Sequence, residues 1–401
     1  MTWFLTIEIN KEIFFGVEID LIKNFLRLLT VWLALFNFIV SPFSKNSTLY
    51  NWIISATIII LLFTFQTRSL LSFYFFFEIS ILPILFLILG WGYQPERISA
   101  SFFIFFYTLF GSLPLLIILF FLLGEVFSTN VCIKLIYICG LRSPQSIILF
   151  GAFLIKLPIY YTHMWLPKAH VEAPVVGSII LAGLMLKLGG FGIILCLIYP
   201  LYIKGVFLVI IIISAVGGGL TRVMMRRLSD IKVIIAYSSV VHIRLISPSL
   251  ISYSIIGVLG VLLIIISHGF TSPGLFFGAN VIYERSHSRS IFLNKGLLRI
   301  NSTLGSFWFL LIILNFGGPF TLNLLSEILI INMLRNISNF IFIWVGLACF
   351  FSLVYNLILY ASLNQGVIIN IIIITPTHPR EILVLLGIIS PAFLALISRQ
   401  I

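Results

Sequence analysis

Charge is what this 401-residue sequence has least of. Only 9% of its residues are charged, and Asp plus Glu number 12 against 24 Lys plus Arg. A soluble fold needs a polar surface, and here 61% of residues are hydrophobic, with a mean hydropathy of +1.19. Cysteine is scarce as well. Cys132, Cys139, Cys196 and Cys349 form no CxxC pair and no metal-ligand spacing with histidine, so they read as free thiols, with no disulfide framework and no metal site. There is no GxGxxG loop in a strand–helix context, no Walker loop and no GxSxG elbow. This chain is therefore expected to bind no nucleotide, haem or iron–sulfur cluster itself. Strict polar–apolar alternation is also missing, which excludes a membrane β-barrel. The opening stretch, MTWFLTIEINKEIFFGVEIDLIK, carries Glu8, Glu12, Glu18 and Asp20. A transit peptide is Arg-rich and acid-poor, so insertion without a cleaved presequence is expected.

What is present is long apolar blocks, such as Trp52 to Phe65, Ile81 to Trp91 and Val206 to Ala215. A helix crosses the hydrocarbon with about 20 such residues, and its backbone satisfies itself there. The chain reads as an all-α polytopic membrane protein with about twelve transmembrane helices. They centre near 22–40, 50–66, 69–91, 101–123, 146–169, 175–198, 203–220, 230–247, 251–281, 303–334, 338–361 and 382–398. The net charge of +12 sits in loops and helix ends such as RVMMRRLSDIK and YERSHSR. That pattern fits phospholipid headgroups as partners and no nucleic acid.

Two segments look discontinuous. In GAFLIKLPIYYTHMWLPKAH, Pro158 interrupts the run just after Lys156; in WFLLIILNFGGPFTLNLLSEILIINML, Gly317, Gly318 and Pro319 interrupt it before Glu327. Proline removes a backbone donor and frees a carbonyl upstream. Broken hydrophobic segments in corresponding halves point to a transport site between internal repeats; an ordinary kink is the plainer reading of either one.

Four charges lie inside apolar runs: Glu78, Lys156, Lys187 and Glu327. Each costs about 2.5–3.5 kcal/mol at the bilayer centre if unpaired, so pairing or hydration is required. Glu78 is expected to pair with a lysine, Lys156 first. Such groups can carry protons, because a nearby carboxylate and burial pull a lysine in opposite directions. A static ion pair holding two helices together is the alternative. His268 and His242 lie within apolar segments and suit a relay, or equally a hydrogen-bonded core. Tyr237 and Ser238 beside them can hold water. Asp230 reads as a helix cap, Arg244 as a snorkelling side chain, and His163 and His170 as flanking a short amphipathic piece near one surface.

The blocks FFFEISILPILFLILGWGYQPER, KLPIYYTHMWLPKAHVEAPVVGSIILAGLMLKLGGFG, DIKVIIAYSSVVH, SHGFTSPGLFFGANVIYERSHSR and LSEILI closely resemble the NADH–ubiquinone oxidoreductase chain 4 family. These are mitochondrially encoded, antiporter-like membrane subunits of respiratory complex I. The matching blocks run in order from about residue 18 to the C-terminus. The resemblance implies two inverted helical repeats with two discontinuous helices in one membrane domain, 1–401. Its divisions are an N-terminal segment and first helix over about 1–48, a first repeat over 49–200, a second over 201–365 and a C-terminal helix over 366–401. By motif match Glu78 is the inlet-side glutamate, Lys156 the broken-helix lysine, Lys187 the central lysine and Glu327 the terminal glutamate. His268 matches a histidine of the central axis, as do His242 and His287. The resemblance further implies a mitochondrial inner-membrane, multi-pass subunit. Its partners would be the other membrane-arm and supernumerary subunits and phospholipids. NAD, FMN, iron–sulfur clusters and ubiquinone would sit in other subunits, which drive proton translocation here. The chain is short at its N-terminus relative to fuller members, Ser326 replaces a glycine, and Arg244 replaces an apolar residue. Two other classes remain: a sodium/proton antiporter subunit, and an inert structural spacer of the membrane arm.

Overall fold

The computed structural model describes residues 2–41, 47–67, 69–126, 143–196, 204–225, 227–252, 254–366 and 376–397. In chain order the helices begin with α1 (Thr2–Val40), α2 (Ser47–Gln66), α3 (Leu70–Ile79), α4 (Ile81–Trp91) and α5 (Arg97–Val126). Next come α6 (Ser143–Lys156), α7 (Trp165–Glu172), α8 (Val175–Ile180), a π-helical turn (Leu181–Met185) and α9 (Leu186–Cys196). The chain continues through α10 (Lys204–Met225), α11 (Ile231–Ile243), α12 (Ile246–Ile251), α13 (Ile255–Ser286) and α14 (Leu297–Ile300). It closes with α15 (Ser302–Phe316), α16 (Leu322–Arg335), α17 (Asn339–Asn364) and α18 (Pro379–Ile397). Each membrane segment expected from the sequence is met, over its described residues, by one helix or by consecutive shorter ones. No strand occurs among the described residues; one isolated bridge joins Asp230 and Ser290. Cys132 and Cys139 lie outside the described residues.

Local chemistry sets the ends. Ser69, Asp230, Ser254, Asn301, Thr321 and Ser338 each accept a hydrogen bond from a backbone N–H of the helix they open, which satisfies one of the donors a helix start leaves free. The Asp230 cap is the one expected from the sequence. His287 and Gly317 close α13 and α15 in the left-handed conformation.

Two rods form the centre. Val175–Cys196 is wholly enclosed and Ile231–Leu250 nearly so, with 100% and 89% of their spans buried, against 33% for α17. α13 packs against α8, α11, α12, α15, α16 and α18 and so joins both central rods to the second broken segment. Around them, rows of Leu, Ile and Phe on α1, α2, α5 and α17 stay exposed, as lipid-facing or subunit-facing surfaces do.

The rods are interrupted more often than the two breaks read from the sequence. α3 and α4 part at Ser80, α6 and α7 over 157–164, α8 and α9 by the π turn, α11 and α12 at Arg244 and Leu245, and α15 and α16 over 317–321. Proline is the cause in four of these, since Pro83, Pro158, Pro248 and Pro319 each withhold a donor from the carbonyl four residues back. The carbonyls freed by Pro319 and Pro248, and the helix-end carbonyl of Ile155, are recovered by side chains, as a membrane interior requires. Asn323 Nδ2 donates to Asn315 O at 2.9 Å. Ser247 Oγ donates to Arg244 O at 3.1 Å. Trp165 Nε1 donates to Ile155 O at 3.2 Å.

Candidate functional site

Four of the five interruptions sit beside a buried charged side chain (Lys156, Lys187, Arg244 and Glu327), and the α3–α4 one beside half-buried Glu78. Lys187 is the second residue after the π turn, where the wider ladder frees carbonyls. Its Nζ donates to Ala182 O at 2.5 Å and meets His268 Nδ1 at 2.9 Å. His268 lies midway along α13, with Ser272 Oγ 3.4 Å from the same nitrogen. The His268 ring centroid is 6.1 Å from that of His242, near the end of α11. His242 Nδ1 stands 3.2 Å from Glu327 Oε1, within ion-pair distance but off hydrogen-bond alignment. Asn323 Nδ2 approaches the same oxygen at 3.5 Å. Glu327 Oε2 reaches back to Gly317, where a Cβ would be 3.5 Å away. The carboxylate therefore lies against the second break. All four groups are buried.

The first break is arranged differently. Lys156 ends α6, where a cation is favoured by the carbonyl end of the helix. Its Nζ lies 3.5 Å from the centroid of the Phe77 ring and has no hydrogen-bond partner. The expected Glu78–Lys156 ion pair is not formed. Successive helical residues point about 100° apart, so when Phe77 presents its ring face to the amine, Glu78 is turned toward α5. There Glu78 borders a cavity of about 160 Å³ lined by Leu82, Phe105, Thr108 and Leu109. A second cavity, of about 20 Å³, lies beside Lys156 and shares Thr108; Trp165, Leu181 and Met185 complete it. It has room for about one water. Across it Lys156 faces Leu181 and Met185 of the π turn that precedes Lys187. The polar contacts thus run from Lys187 through His268 and His242 to Glu327, with Glu78 and Lys156 on the two cavities at the other side of the π turn.

Three candidates lie off this line. His287 caps α13 at the exposed end. Tyr237 faces His163 at 5.8 Å. Ser238 Oγ donates to Ile235 O of its own helix.

Two readings of flanking residues change. His170 is not near a surface: it is fully buried, stacked on Phe276 with centroids 4.4 Å apart. The amphipathic look of α7 misled, because both its faces are covered, by α5 and α11. Arg244 does not snorkel; its Nη1 donates to Ser214 O and its Nε to Val241 O, both at 3.1 Å. The α11–α12 break turns it inward against α10.

Sequence reading missed a polar cluster at the end of the rods. Arg289 Nη1 pairs with Glu172 Oε1 at 3.4 Å. Lys232 Nζ lies 4.7 Å from the Tyr93 ring. The Tyr93 hydroxyl donates to Asn280 Oδ1 at 3.1 Å. Burial, then Glu284 and Tyr283, pushes Tyr93 up to about 12, so it stays a neutral donor. It missed the amides around Glu327 as well: Asn315 Nδ2 donates to Asn356 Oδ1 at 2.9 Å. A run of asparagines in apolar helices was the available signal. Among the described residues no group of three or more His, Cys, Asp or Glu could hold a metal ion.

A family model for the membrane helices of NADH:quinone oxidoreductase and the Mrp antiporter matches residues 67–352. The chain belongs to the NADH:quinone oxidoreductase/Mrp antiporter family. Within it, the chain is 40% identical over 377 residues to NADH-ubiquinone oxidoreductase chain 4 of Ceratitis capitata, covering 92% of this chain and 83% of that one. Its fold matches a chain of respiratory complex I from Thermus thermophilus with a TM-score of 0.80 at 21% identity, over 95% of this chain and 80% of that chain. It also matches a chain of the Mrp complex from Dietzia sp. DQ12-45-1b, with a TM-score of 0.77 at 16% identity, over 86% and 66% of the two chains. Both broken segments lie inside the family match, as do Glu78, Lys156, Lys187, His242, His268 and Glu327.

Proposed function

We propose that the chain is a core membrane-arm subunit of proton-pumping NADH:ubiquinone oxidoreductase. It works as a multi-pass protein of the mitochondrial inner membrane, beside other membrane-arm and supernumerary subunits and phospholipid. Redox chemistry with NAD, FMN, iron–sulfur clusters and ubiquinone belongs to those other subunits. The division into two repeats, over about 49–200 and 201–365, is part of the same reading. It is supported by a broken helix in each: α6–α7 and α15–α16.

The observation that carries the reading is the run Lys187–His268–His242–Glu327. It links the centre of the enclosed α8–α9 rod to the second break through contacts of 2.9 and 3.2 Å. The ammonium of Lys187 donates to His268 Nδ1. Proton transfer there breaks an N–H bond on the amine and forms one on the imidazole. The 6.1 Å between ring centroids is too long for a direct hydrogen bond and suits one bridging water. His242 then passes its proton to Glu327 Oε1. Histidine serves both steps because its ordinary pKa lies near neutrality. Glu78 and Lys156 extend the line toward α5 through the two cavities that share Thr108.

Lys187→Ala in the assembled complex is expected to abolish pumping, or the turnover coupled to it, with assembly retained. Full activity with a normal proton-to-electron ratio would sink the reading. The antiporter alternative predicts sodium-dependent exchange by the isolated chain. The spacer alternative predicts unchanged stoichiometry when Glu78 or Lys156 is neutralised.

A further inference from the structure

The line does not end in apolar packing. Beyond Glu327 lie two buried arginines that the proton path above does not use. Arg222, on the last turns of α10, is 1% exposed, and none of its three guanidinium nitrogens has a hydrogen-bond partner. Arg244, in the α11–α12 break, is 3% exposed and bonded only to backbone carbonyls. Among the described residues neither makes an ion pair. The guanidinium of Arg244 fills the space where a side chain at Gly218 would stand, so the glycine on α10 is what admits it. On α17, the Tyr355 hydroxyl is buried without a hydrogen-bond partner. Tyr355 lies in the electrostatic reach of both Arg222 and Glu327; the Cys349 thiol lies within that of Glu327 and both arginines.

A buried cation without a partner is severely unfavourable, and two together more so. The charge that answers them is a carboxylate, and Glu327 is the one that shares the Tyr355 and Cys349 side chains with them. His242 from α11 and Asn323 from α16 stand against the Glu327 carboxylate, at 3.2 and 3.5 Å. Cys349 and Tyr355 of α17 lie between Glu327 and the arginines, within electrostatic reach of Glu327 and of Arg222 alike. α12 and residues 382–397 of α18 carry no titratable side chain.

We propose that Arg222 and Arg244, with the Tyr355 hydroxyl, are positioning residues for the last proton step, giving the Glu327 carboxylate a second seat turned away from His242. His242 hands its proton to Glu327 Oε1. The neutral acid then gives that proton to a water on the arginine side, breaking its O–H bond and forming hydronium. The carboxylate left behind is met by the guanidiniums and does not take the proton back from the water. The inference rests on the proton line proposed above.

The test is the proton-to-electron ratio of the assembled complex in sealed vesicles. Arg222→Gln, Arg244→Gln and Tyr355→Phe are each expected to lower the ratio while NADH oxidation persists, and Arg222→Lys is expected to restore most of it. Glu327→Gln is the control that separates the two ideas. A normal ratio in Glu327→Gln overturns the proton line itself. A lowered ratio in Glu327→Gln with normal ratios in the arginine and tyrosine variants overturns this inference alone. A purely structural role would lower assembly and both rates in proportion, with the ratio unchanged in the complexes that form, and that result also overturns it. Tyr355→Phe keeps the packing, so it remains informative where an arginine variant does not assemble.

Discussion

At the scale of single residues, the charges are held by three different devices. Lys187 relies on a carbonyl freed by the π turn and on His268; Glu327 relies on asparagine and on His242; Lys156 relies on an aromatic face. The last is the most exposed to simple tests. A cation over an aromatic ring contributes about 0.5–2 kcal/mol, more when desolvated. Phe77→Leu keeps apolar volume but removes the ring, so it is expected to destabilise the subunit by roughly 1–2 kcal/mol. It should also slow turnover, because Lys156 is freed to swing toward Glu78. Thermal stability of the assembled complex and its NADH:quinone turnover check this, and an unchanged pair of values would mean the amine is held by something else. Gly218→Ala is predicted to be far worse than an ordinary helix Gly→Ala change, which stabilises by about 0.4–1 kcal/mol at a compatible site. Here the new methyl collides with the Arg244 guanidinium. Loss of assembled complex on native gels is the expected outcome; wild-type levels would place Arg244 elsewhere.

At the scale of elements, charged side chains concentrate where helices fail. A continuous α-helix in a membrane has no spare backbone groups. Interrupting it supplies carbonyls and room for water beside a charged side chain. The π turn makes the point cleanly, because a π turn behaves as one extra residue in an α-helix. Deleting Leu184 is expected to leave an ordinary helix, with Ala182 O returned to the backbone ladder and Lys187 deprived of it. Turnover should fall as far as in Lys187→Ala while the complex still assembles. Retained turnover would show that the freed carbonyl has no part in transfer. The proline signal explains why the breaks at Lys156 and Glu327 were legible in the sequence: there Pro158 and Pro319 come with a charge or a Gly-Gly pair. Pro83 and Pro248 carry the same chemistry, but Glu78 and Arg244 stand a full turn or more before them, no glycine pair adjoins, and the residues between are apolar or small, which keeps the hydropathy continuous. The π turn has no proline at all.

At the scale of the whole molecule, residues far apart in sequence meet at one end of the rods. Glu172 follows the first break, and Arg289 follows the long helix α13. Their 3.4 Å pair and the Asp230–Ser290 bridge tie the α7 region to α11 and the loop after α13. Removing one partner of a buried pair costs about 3–5 kcal/mol, because the other charge is left alone. Arg289→Gln and Glu172→Gln are each predicted to lower the amount of assembled complex, and the double substitution to recover part of the loss. Additive losses in the double variant would show that the two side chains do not act as a pair.

The sequence by itself determined the solvent, the secondary structure and the family. Sixty-one per cent apolar residues in blocks allow only membrane helices, and the motif blocks around Glu78, Lys156, Lys187 and Glu327 carry the likeness. It also named the residues of the line, since a charge in an apolar run announces itself. What it left open was partnership. Whether Lys156 meets Glu78 or Phe77, whether His170 faces a surface or the core, and whether Arg244 snorkels or turns inward depend on helix rotation. Helix rotation is set by how whole rods pack, and neighbours in space such as α11 and α16 are separated by dozens of residues of chain. Composition fixes that a buried charge must be answered; only the packing of the bundle decides by what.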